Sequence, residues 1–318
     1  MKIAIIGAGA MGTMFGVFLA KAGEDVCMID VRKDHIDAIK EKGIVVKYPD
    51  KEETVPSKGA LTSDEAAEQF GGPADVVMIF TKTPMNKMVL DQAGALIGPD
   101  TYLMTTQNGL GSEEQLAEYV ARDHVIVGTT ALNAMLGEPG TINYRFLDAW
   151  STYIMPLEGD MNEMTEKIAK ALTDGGQPTY ADMNTEKIRW KKIAVNCMAN
   201  SASALTRLKS NTIFDNEYGK AYADLILKEV VAVANAKGIQ MTREELEPQV
   251  EVSAKLPAYP SMGLDAINHR ITEIGTLNGS IVKLGREYGI DTPANAVMYN
   301  LVSILHNNYD ELPESQDK

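Results

Sequence analysis

The sequence predicts an α/β fold, with a doubly wound parallel sheet in the N-terminal part followed by an all-α C-terminal domain. Short apolar runs alternate with helical patterns up to about residue 130, which is typical of a parallel sheet. Beyond residue 184 every segment has helical periodicity. A chain of 318 residues also exceeds one typical core. We therefore expect two domains, residues 1–182 and 183–318.

Composition narrows the class of protein. Acidic residues outnumber basic ones 44 to 30, for a net charge of −14, which argues against a protein that grips nucleic acid or anionic membranes. Cys27 and Cys197 lie in apolar segments and are expected to be reduced core residues of a cytoplasmic protein. The uncharged run 3–20 would also fit an export signal or a membrane helix, but four glycines interrupt it. We expect no membrane association.

The first thirty residues form one unit. A buried strand at Lys2–Ile6 leads into a glycine-rich turn at 7–12, a helix to about residue 22 and a second strand that ends on an acid. This is the G-x-G-x-x-G fingerprint of a Rossmann dinucleotide site. The glycines permit a tight turn and the close approach of a pyrophosphate, which the helix N-terminus binds. The candidate cofactor ligands are Gly7, Gly9, Ala10, Met11, Gly12 and Asp30.

The same alternation continues through the N-terminal part. We predict a helix at about 31–43, strands at 44–48 and 53–55, a helix from a capping box at 62–65, a strand at 76–81, a helix with Thr83 as N-cap, a strand at 102–106, a helix at 112–122 and a strand at 124–128. Ligands of such sheets lie at the carboxyl ends of the strands. Lys82 and Asn108 follow two of these ends and are candidate cofactor contacts.

The pattern changes from residue 137 onward. Residues 141–145 and 152–155 are predicted to be antiparallel edge strands joined by a turn, before a helix at 160–173 and a short strand at Tyr180. Helices are then predicted at 185–205, 216–237, 242–255, 263–288 and 293–307, with a frayed polar tail at 311–318.

One face of the first C-terminal helix carries the strongest candidate chemistry. Lys192, Asn196 and Asn200 are spaced four apart among apolar neighbours, so they share a helical face. Buried polar groups need partners, and the three either bind a substrate or form a hydrogen-bond ladder between helices. A lysine, charged at neutral pH, can protonate and stabilise a developing alkoxide.

A second candidate segment contains Ser261 and Glu273. Ser261 lies at a predicted helix start, where capping is the ordinary role, and Glu273 lies in a mostly apolar helix, where an ion pair with Arg270 is the ordinary role. None of the four histidines has a nucleophile or metal-ligand spacing, so no catalytic metal is expected.

Over essentially its full length the chain resembles the ketopantoate reductase (2-dehydropantoate 2-reductase) family. The resemblance rests on the glycine fingerprint and on residues 81–82, 108–111, 190–197, 260–262 and 272–274. It implies hydride transfer from a nicotinamide cofactor to a 2-oxo acid, giving an (R)-2-hydroxy acid, as in pantothenate biosynthesis.

The resemblance also implies a role for each candidate residue. Lys192 would be the general acid, and Glu273 would bind the substrate hydroxyl and orient the lysine. The rest of the substrate would be held by Asn196, Asn200 and Ser261, with Asn108 and Lys82 at the junction of cofactor and substrate.

Two positions depart from the family pattern. Asp30 stands where a basic residue usually meets the 2′-phosphate of NADPH, so NADH is favoured and NADPH is the alternative. Gly275 stands where an acid often follows the glutamate. Both departures fit a branch of NAD-dependent D-2-hydroxyacid (mandelate-type) dehydrogenases, which act on bulky branched or aromatic 2-oxo acids. The sequence leaves the two substrate classes open.

Two interpretations from outside the family compete with these. A β-hydroxyacid dehydrogenase also has a lysine four residues before an asparagine, but it precedes the lysine with a glycine-rich turn that residues 185–190 lack. A dinucleotide-sensing module would need neither Lys192 nor Glu273. The apolar helical part suits either a homodimer face or the core of a monomer, and the sequence does not distinguish these.

Overall fold

The computed structural model describes residues 1–132, 134–144 and 151–312. The chain divides into two compact units, one comprising 1–107 with 112–185 and the other 108–111 with 186 onward. The expected boundary between residues 182 and 183 lies three residues before this division. The loop 108–111 belongs to the second unit, which the sequence pattern did not indicate.

The first unit contains all the described strands. In chain order they are β1 (Lys2–Ile6), β2 (Asp25–Ile29), β3 (Ile44–Lys47), β4 (Glu52–Val55), β5 (Lys58–Ala60), β6 (Val76–Ile79), β7 (Tyr102–Thr105), β8 (Val125–Thr130), β9 (Ala134–Leu136), β10 (Thr141–Tyr144), β11 (Thr152–Pro156) and β12 (Thr179–Ala181). Eight form one sheet in the order β12-β11-β8-β7-β6-β1-β2-β5. From β8 to β5 the strands are parallel, and β11 is antiparallel to β8. The central strand β1 has β2 on one side and β6 on the other. The order of the strands along the chain therefore reverses at β1, and sheets of this kind bind their ligands at such a switch point.

Helices cover both faces of the large sheet. They are α1 (Ala10–Lys21), α2 (Lys33–Lys42), α3 (Ser63–Phe70), α4 (Asn86–Asp91), α5 (Ser112–Leu116) and α6 (Glu163–Asp174). Ile3 and Ile5 of β1 pack into the core on one face, and Ala4 and Ile6 into the core on the other. A strand buried on both faces must be apolar throughout, which is why β1 has no polar alternation. The predicted doubly wound parallel sheet is confirmed.

A second sheet has four strands in the order β4-β3-β10-β9. The predicted hairpin between 141–145 and 152–155 is therefore wrong. β10 pairs with β3 and β9, whereas β11 pairs with β8 and β12; residue 145 lies outside the described residues. β11 buries alternate residues, and β10 buries all but Asn143. Neither pattern specifies a neighbouring strand, so the choice of partner depended on tertiary packing.

The second unit is helical, as predicted. Its helices are α7 (Thr185–Thr206), α8 (Ser210–Phe214), α9 (Glu217–Ala236), α10 (Glu247–Lys255), α11 (Ser261–Ile267), α12 (Asn278–Tyr288) and α13 (Pro293–Asn307). They surround a core centred on α7, including Trp190, Ile193 and Cys197. Within the part of the chain that the structure describes, no helix combines the length and apolarity needed to cross a bilayer.

Three predicted helices need correction. The single helix at 263–288 is broken into α11 and α12, because His269 takes a φ of 52° and the Arg270 N–H bonds back to the Asp265 carbonyl. The helix at 112–122 stops at Leu116, where tighter i→i+3 bonds replace the α-helical ones. Thr83 is the first residue of a 3-10 helix and Lys82 takes the N-cap position. The predicted frayed tail lies mostly outside the described residues.

Candidate active site

Each glycine in the turn between β1 and α1 has its own structural reason. Gly7 has a φ of 101°, and a Cβ there would lie 2.8 Å from the backbone of Phe80. A Cβ on Gly12 would lie 2.1 Å from the Gly7 carbonyl oxygen, whereas one on Gly9 would meet no atom of the described chain within 4 Å. The open space beside Gly9 lies at the N-terminus of α1, whose first turn has no acidic residue. Such a place fits a pyrophosphate.

Asp30 follows β2 and lies beside this turn. Its carboxylate accepts hydrogen bonds from a backbone N–H of the glycine turn (2.8 Å) and from the Arg32 N–H (2.9 Å). Both nearby basic side chains have acidic neighbours, because Arg32 Nε lies 3.9 Å from Asp34 and Lys33 Nζ lies 2.5 Å from Asp37. The two hydrogen bonds hold the carboxylate of Asp30 against the glycine turn, at the end of β2.

A buried network of side-chain amides lies close to Lys82, which is itself exposed. Asn86 is fully buried, and its Nδ2 donates to Gln107 Oε1 (3.0 Å) and Gln115 Oε1 (2.9 Å). These bonds join α4, α5 and the carboxyl end of β7. The network was not predicted, because its three amides are far apart in the sequence and each alone has the character of a surface residue. It fixes the sheet edge at which Lys82 lies.

Lys192, Asn196 and Asn200 all lie on α7, as predicted. The structure does not confirm the alternative interpretation, in which these residues form a hydrogen-bond ladder between helices. Asn200 is 5% exposed and Asn196 is half-buried, and neither amide is among the fully buried polar groups of the described residues that lack a hydrogen-bond partner. A polar group on a largely apolar helix face needs a partner from water or from a ligand. Two amides on the same face are therefore available to a ligand.

The interhelical ladder exists, but other residues form it. Ser201 Oγ donates to the Cys197 carbonyl (2.6 Å) and lies 2.8 Å from the Tyr222 hydroxyl. Asn278 Nδ2 donates to the same carbonyl (3.2 Å) and to Asn295 Oδ1 (3.0 Å). This ladder ties α7 to α9, α12 and α13, so the rotation of α7, and with it the direction of the Lys192 face, is set by groups outside that face.

Lys192 has an unusual acidity. Burial lowers the pKa of its ammonium from 10.5 to about 8, and the negative charge of Glu273 partly opposes that shift. The charge of Glu273 therefore acts on the ammonium and favours its protonated form. The lysine is thus mostly protonated at neutral pH and is a stronger proton donor than an ordinary lysine.

Glu273 was predicted to lie in a helix. In the structure it lies on the connection between α11 and α12. Its carbonyl accepts the N–H groups of Thr276 and Leu277, which forms a tight turn. The expected ion pair with Arg270 is not its role, since Arg270 Nε lies 3.2 Å from Asp265.

The loop that carries Asn108 is attached to this same turn. The Leu110 N–H donates to the Thr276 carbonyl (2.9 Å). Gly109 has a φ of 90°, and a Cβ there would lie 2.2 Å from that carbonyl oxygen. Only glycine allows such close backbone contact. The loop that contains Asn108 and the turn that begins at Glu273 are therefore joined through their backbones, although 165 positions separate these two residues.

Ser261 is the first residue of α11 and is exposed, and its side chain makes no capping bond. The predicted N-cap role is therefore wrong, since Pro260 occupies the N-cap position. Two residues later, a Cβ on Gly263 would lie 2.1 Å from Ser203 Oγ, so α11 packs closely on α7 one turn beyond Asn200. Ser261 therefore begins a helix that packs against α7 just beyond the face that carries Lys192.

Two family models match this chain. Ketopantoate reductase PanE/ApbA matches residues 3–158, and Ketopantoate reductase PanE/ApbA C terminal matches residues 184–306. The chain belongs to the ketopantoate reductase family. A 2-dehydropantoate 2-reductase of Streptococcus pyogenes serotype M3 is 32% identical over 95% of this chain and 97% of its own length. One of Pyrococcus horikoshii is 30% identical over 95% and 96%.

Solved structures related to this ketopantoate reductase family member cover both units. D-mandelate dehydrogenase with NADH and anilino(oxo)acetate superposes with a TM-score of 0.88 at 28% identity, over 98% of this chain and 100% of that one. A 2-dehydropantoate 2-reductase of Geobacter metallireducens gives a TM-score of 0.86 at 27% identity, over 96% and 99%. The solved structures that this chain resembles are thus named for both substrate classes that the sequence left open.

Proposed function

We propose that this chain is a nicotinamide-dependent 2-dehydropantoate 2-reductase that prefers NADH. The observation that carries the proposal is the α7 face, which combines a lysine whose pKa is lowered to about 8 with the amides of Asn196 and Asn200, spaced four residues apart on the same helix. A proton donor next to amides on one face is the set of groups that reduction of a 2-oxo acid requires.

The glycine turn would hold the dinucleotide. The open space at Gly9 and the N-terminus of α1 fit the pyrophosphate, and Ala10 and Met11 supply first-turn N–H groups. Asp30 would bind the ribose diol, which favours NADH. When bound, the nicotinamide supplies the hydride for C2 of the 2-oxo acid.

Lys192 performs the proton transfer. Its Nζ donates a proton to the substrate's keto oxygen as that oxygen becomes a hydroxyl, so that negative charge does not accumulate there. Glu273 binds the substrate hydroxyl, and its charge favours the protonated lysine. The amides of Asn196 and Asn200 and the Ser261 hydroxyl hold the rest of the substrate. Asn108 lies beside the Glu273 turn, and we assign it and Lys82 to the junction of substrate and cofactor.

A second candidate function is oxidation of D-2-hydroxy acids with bulky tails. It is favoured by Asp30, which suits NAD, and by the TM-score of 0.88 to D-mandelate dehydrogenase. The same residues would serve it, with Lys192 accepting the proton in the oxidative direction. The two candidates differ in the tail of the substrate and not in the reacting groups.

A steady-state assay separates these functions by scoring NADH and NADPH against 2-dehydropantoate and phenylglyoxylate. We expect fast turnover of 2-dehydropantoate with NADH. Turnover of phenylglyoxylate with little turnover of 2-dehydropantoate would instead establish the mandelate-type activity. The absence of turnover with all four combinations would overturn both.

A variant pair tests the role of the lysine. Lys192→Met should lose on the order of 10² or more in kcat while cofactor affinity is unchanged. Lys191→Met removes the neighbouring charge from the same helix and serves as the matched control, with kcat near that of the wild type. Equal activity in the two variants would remove Lys192 from the mechanism.

A further inference from the structure

The turn of Glu273 is joined to the start of α12. Besides the two N–H groups that the Glu273 carbonyl accepts, the Gly279 N–H donates to the Ile274 carbonyl (2.9 Å). This bond runs from the first turn of α12 back into the connection that contains Glu273. Asn278 is the first residue of α12 and lies five residues after Glu273. A group that holds Asn278 in place therefore also restricts the backbone of Glu273.

The side chain of Asn278 is bonded to the helix that carries Lys192. Asn278 is fully buried, and its Nδ2 donates to the Cys197 carbonyl of α7 (3.2 Å). Cys197 follows Lys192 by five residues, which is about 7.5 Å along a helix axis. One buried amide thus connects α7 with the element that contains Glu273, at a point close in sequence to each of the two candidate catalytic residues.

A charged group on α9 determines which way this amide points. The Glu229 carboxylate accepts the N–H groups of Ala294 (2.8 Å) and Asn295 (2.9 Å), and also Asn295 Nδ2 (2.7 Å). Because a carboxylate only accepts hydrogen bonds, Asn295 must turn its Oδ1 away from it, towards Asn278 Nδ2 (3.0 Å). A flip of the Asn278 amide would set two acceptors against each other. Its amino group therefore stays directed at α13 and α7.

The other end of the Asn278 amide argues against a role in stability alone. Its Oδ1 is buried and has no hydrogen-bond partner among the described residues. A buried acceptor without a partner destabilises the folded state, and an apolar residue, such as those that form the surrounding core, would avoid that cost. A polar residue at such a site indicates a requirement for its donor group.

We propose that Asn278 is a positioning residue, whose amide holds the Glu273 turn at a fixed place relative to Lys192. The inference rests on the proposed function, in which Lys192 donates the proton and Glu273 binds the substrate hydroxyl. Both the substrate contact and the effect of the Glu273 charge on the Lys192 ammonium depend on distance. A turn that is free to shift along α7 would weaken both.

A double-mutant cycle tests whether Asn278 acts through Glu273. Asn278→Ala should lower kcat for the 2-oxo acid on the order of tenfold or more, with the dissociation constant for NADH unchanged. In the Glu273→Gln background the same substitution should lower kcat by less than about twofold, because the carboxylate that it positions is already absent. An equal reduction in both backgrounds, or an Asn278→Ala variant as active as the wild type, would overturn the proposal.

Ser201→Ala is the matched control. Ser201 Oγ donates to the same Cys197 carbonyl, but it links α7 to Tyr222 of α9 and not to the Glu273 turn. This variant should unfold at a lower urea concentration than the wild type and keep its kcat. Circular dichroism checks the fold of each variant. If Asn278→Ala does not fold, Asn278→Ser, whose hydroxyl can keep one of the two bonds, takes its place in the cycle.

A second measurement does not depend on turnover. The pKa of Lys192 is followed by NMR of protein labelled with ¹³C at the lysine Cε, and its signal is assigned by its loss in Lys192→Met. Glu273→Gln should lower this pKa, and should lower it much less in the Asn278→Ala background. An equal drop in both backgrounds would overturn the role of Asn278. A wild type that turns over no 2-oxo acid would overturn the proposed function, and the titration would still show whether Asn278 holds Glu273 in place.

Discussion

Lys192 should give the reaction a pH dependence that an ordinary lysine would not. Its pKa is about 8, against 10.5 for an unperturbed lysine. The protonated fraction is then about nine-tenths at pH 7 and about one-tenth at pH 9, so the reduction rate should fall roughly tenfold over that interval. An unperturbed lysine would lose only a few per cent. Oxidation of the 2-hydroxy acid needs the neutral amine and should rise over the same range.

The assay measures kcat for reduction from pH 6 to pH 10 at saturating NADH and substrate. Glu273→Gln removes the charge that raises the pKa of Lys192, so the midpoint of the profile should move to lower pH. Glu245→Gln removes a partly exposed carboxylate that pairs with Lys187 and should leave the midpoint unchanged. A profile that stays flat to pH 9.5, or a midpoint that Glu273→Gln does not lower, would refute the assignment of Lys192 as the acid.

Three further predictions concern the two binding regions. Asp30→Ala should raise the ratio of NADPH to NADH efficiency about ten- to several-hundred-fold, since a carboxylate about 4 Å from a phosphate charge costs roughly 1–4 kcal/mol; an unchanged ratio would place Asp30 away from the ribose. Gly9→Ala should keep the wild-type melting temperature but weaken NADH binding on the order of tenfold, measured by fluorescence titration. Its control is Gly12→Ala, whose Cβ would lie 2.1 Å from a loop carbonyl oxygen. This control should lose about 1–3 kcal/mol of folding stability. Wild-type NADH affinity in Gly9→Ala would contradict the pyrophosphate site. Asn200→Ala should raise KM for the 2-oxo acid about tenfold with little change in folding stability. Ser201→Ala, whose hydroxyl has two partners, should instead lose about 1–2 kcal/mol of stability in urea unfolding and leave KM unchanged. The reverse pattern would make Asn200 a structural residue.

The local structure of the first thirty residues could be predicted almost completely because its signals are local. The glycine spacing, the apolar β1 and the acid after β2 all lie within thirty residues, and each has a backbone or packing reason that the structure bears out. Gly7 needs a positive φ, and Gly12 needs the absence of a Cβ. Such requirements depend on residues a few positions apart, so they are visible in the sequence.

The surroundings of Lys192 and Glu273, to which we assign the substrate, were predicted less completely. Lys192, Asn196 and Asn200 were placed correctly on one helical face because the four-residue period of α7 requires it. Glu273 was placed in a helix that does not exist there, since the break depends on His269 and on the bond from Arg270 to Asp265. The family resemblance supplied a role for Glu273 that its local pattern did not support.

The sequence by itself determined the elements that depend on neighbouring residues: the glycine turn, the buried parallel strands, the helices of the second unit and the shared face of α7. Only the tertiary structure decided which strand pairs with β10, that the Asn108 loop joins the turn of Glu273, and that the pKa of Lys192 falls to about 8. The physical reason is the range of the interactions. Backbone conformation and side-chain periodicity act over a few residues, whereas strand pairing, desolvation and charge act between groups that only folding brings together.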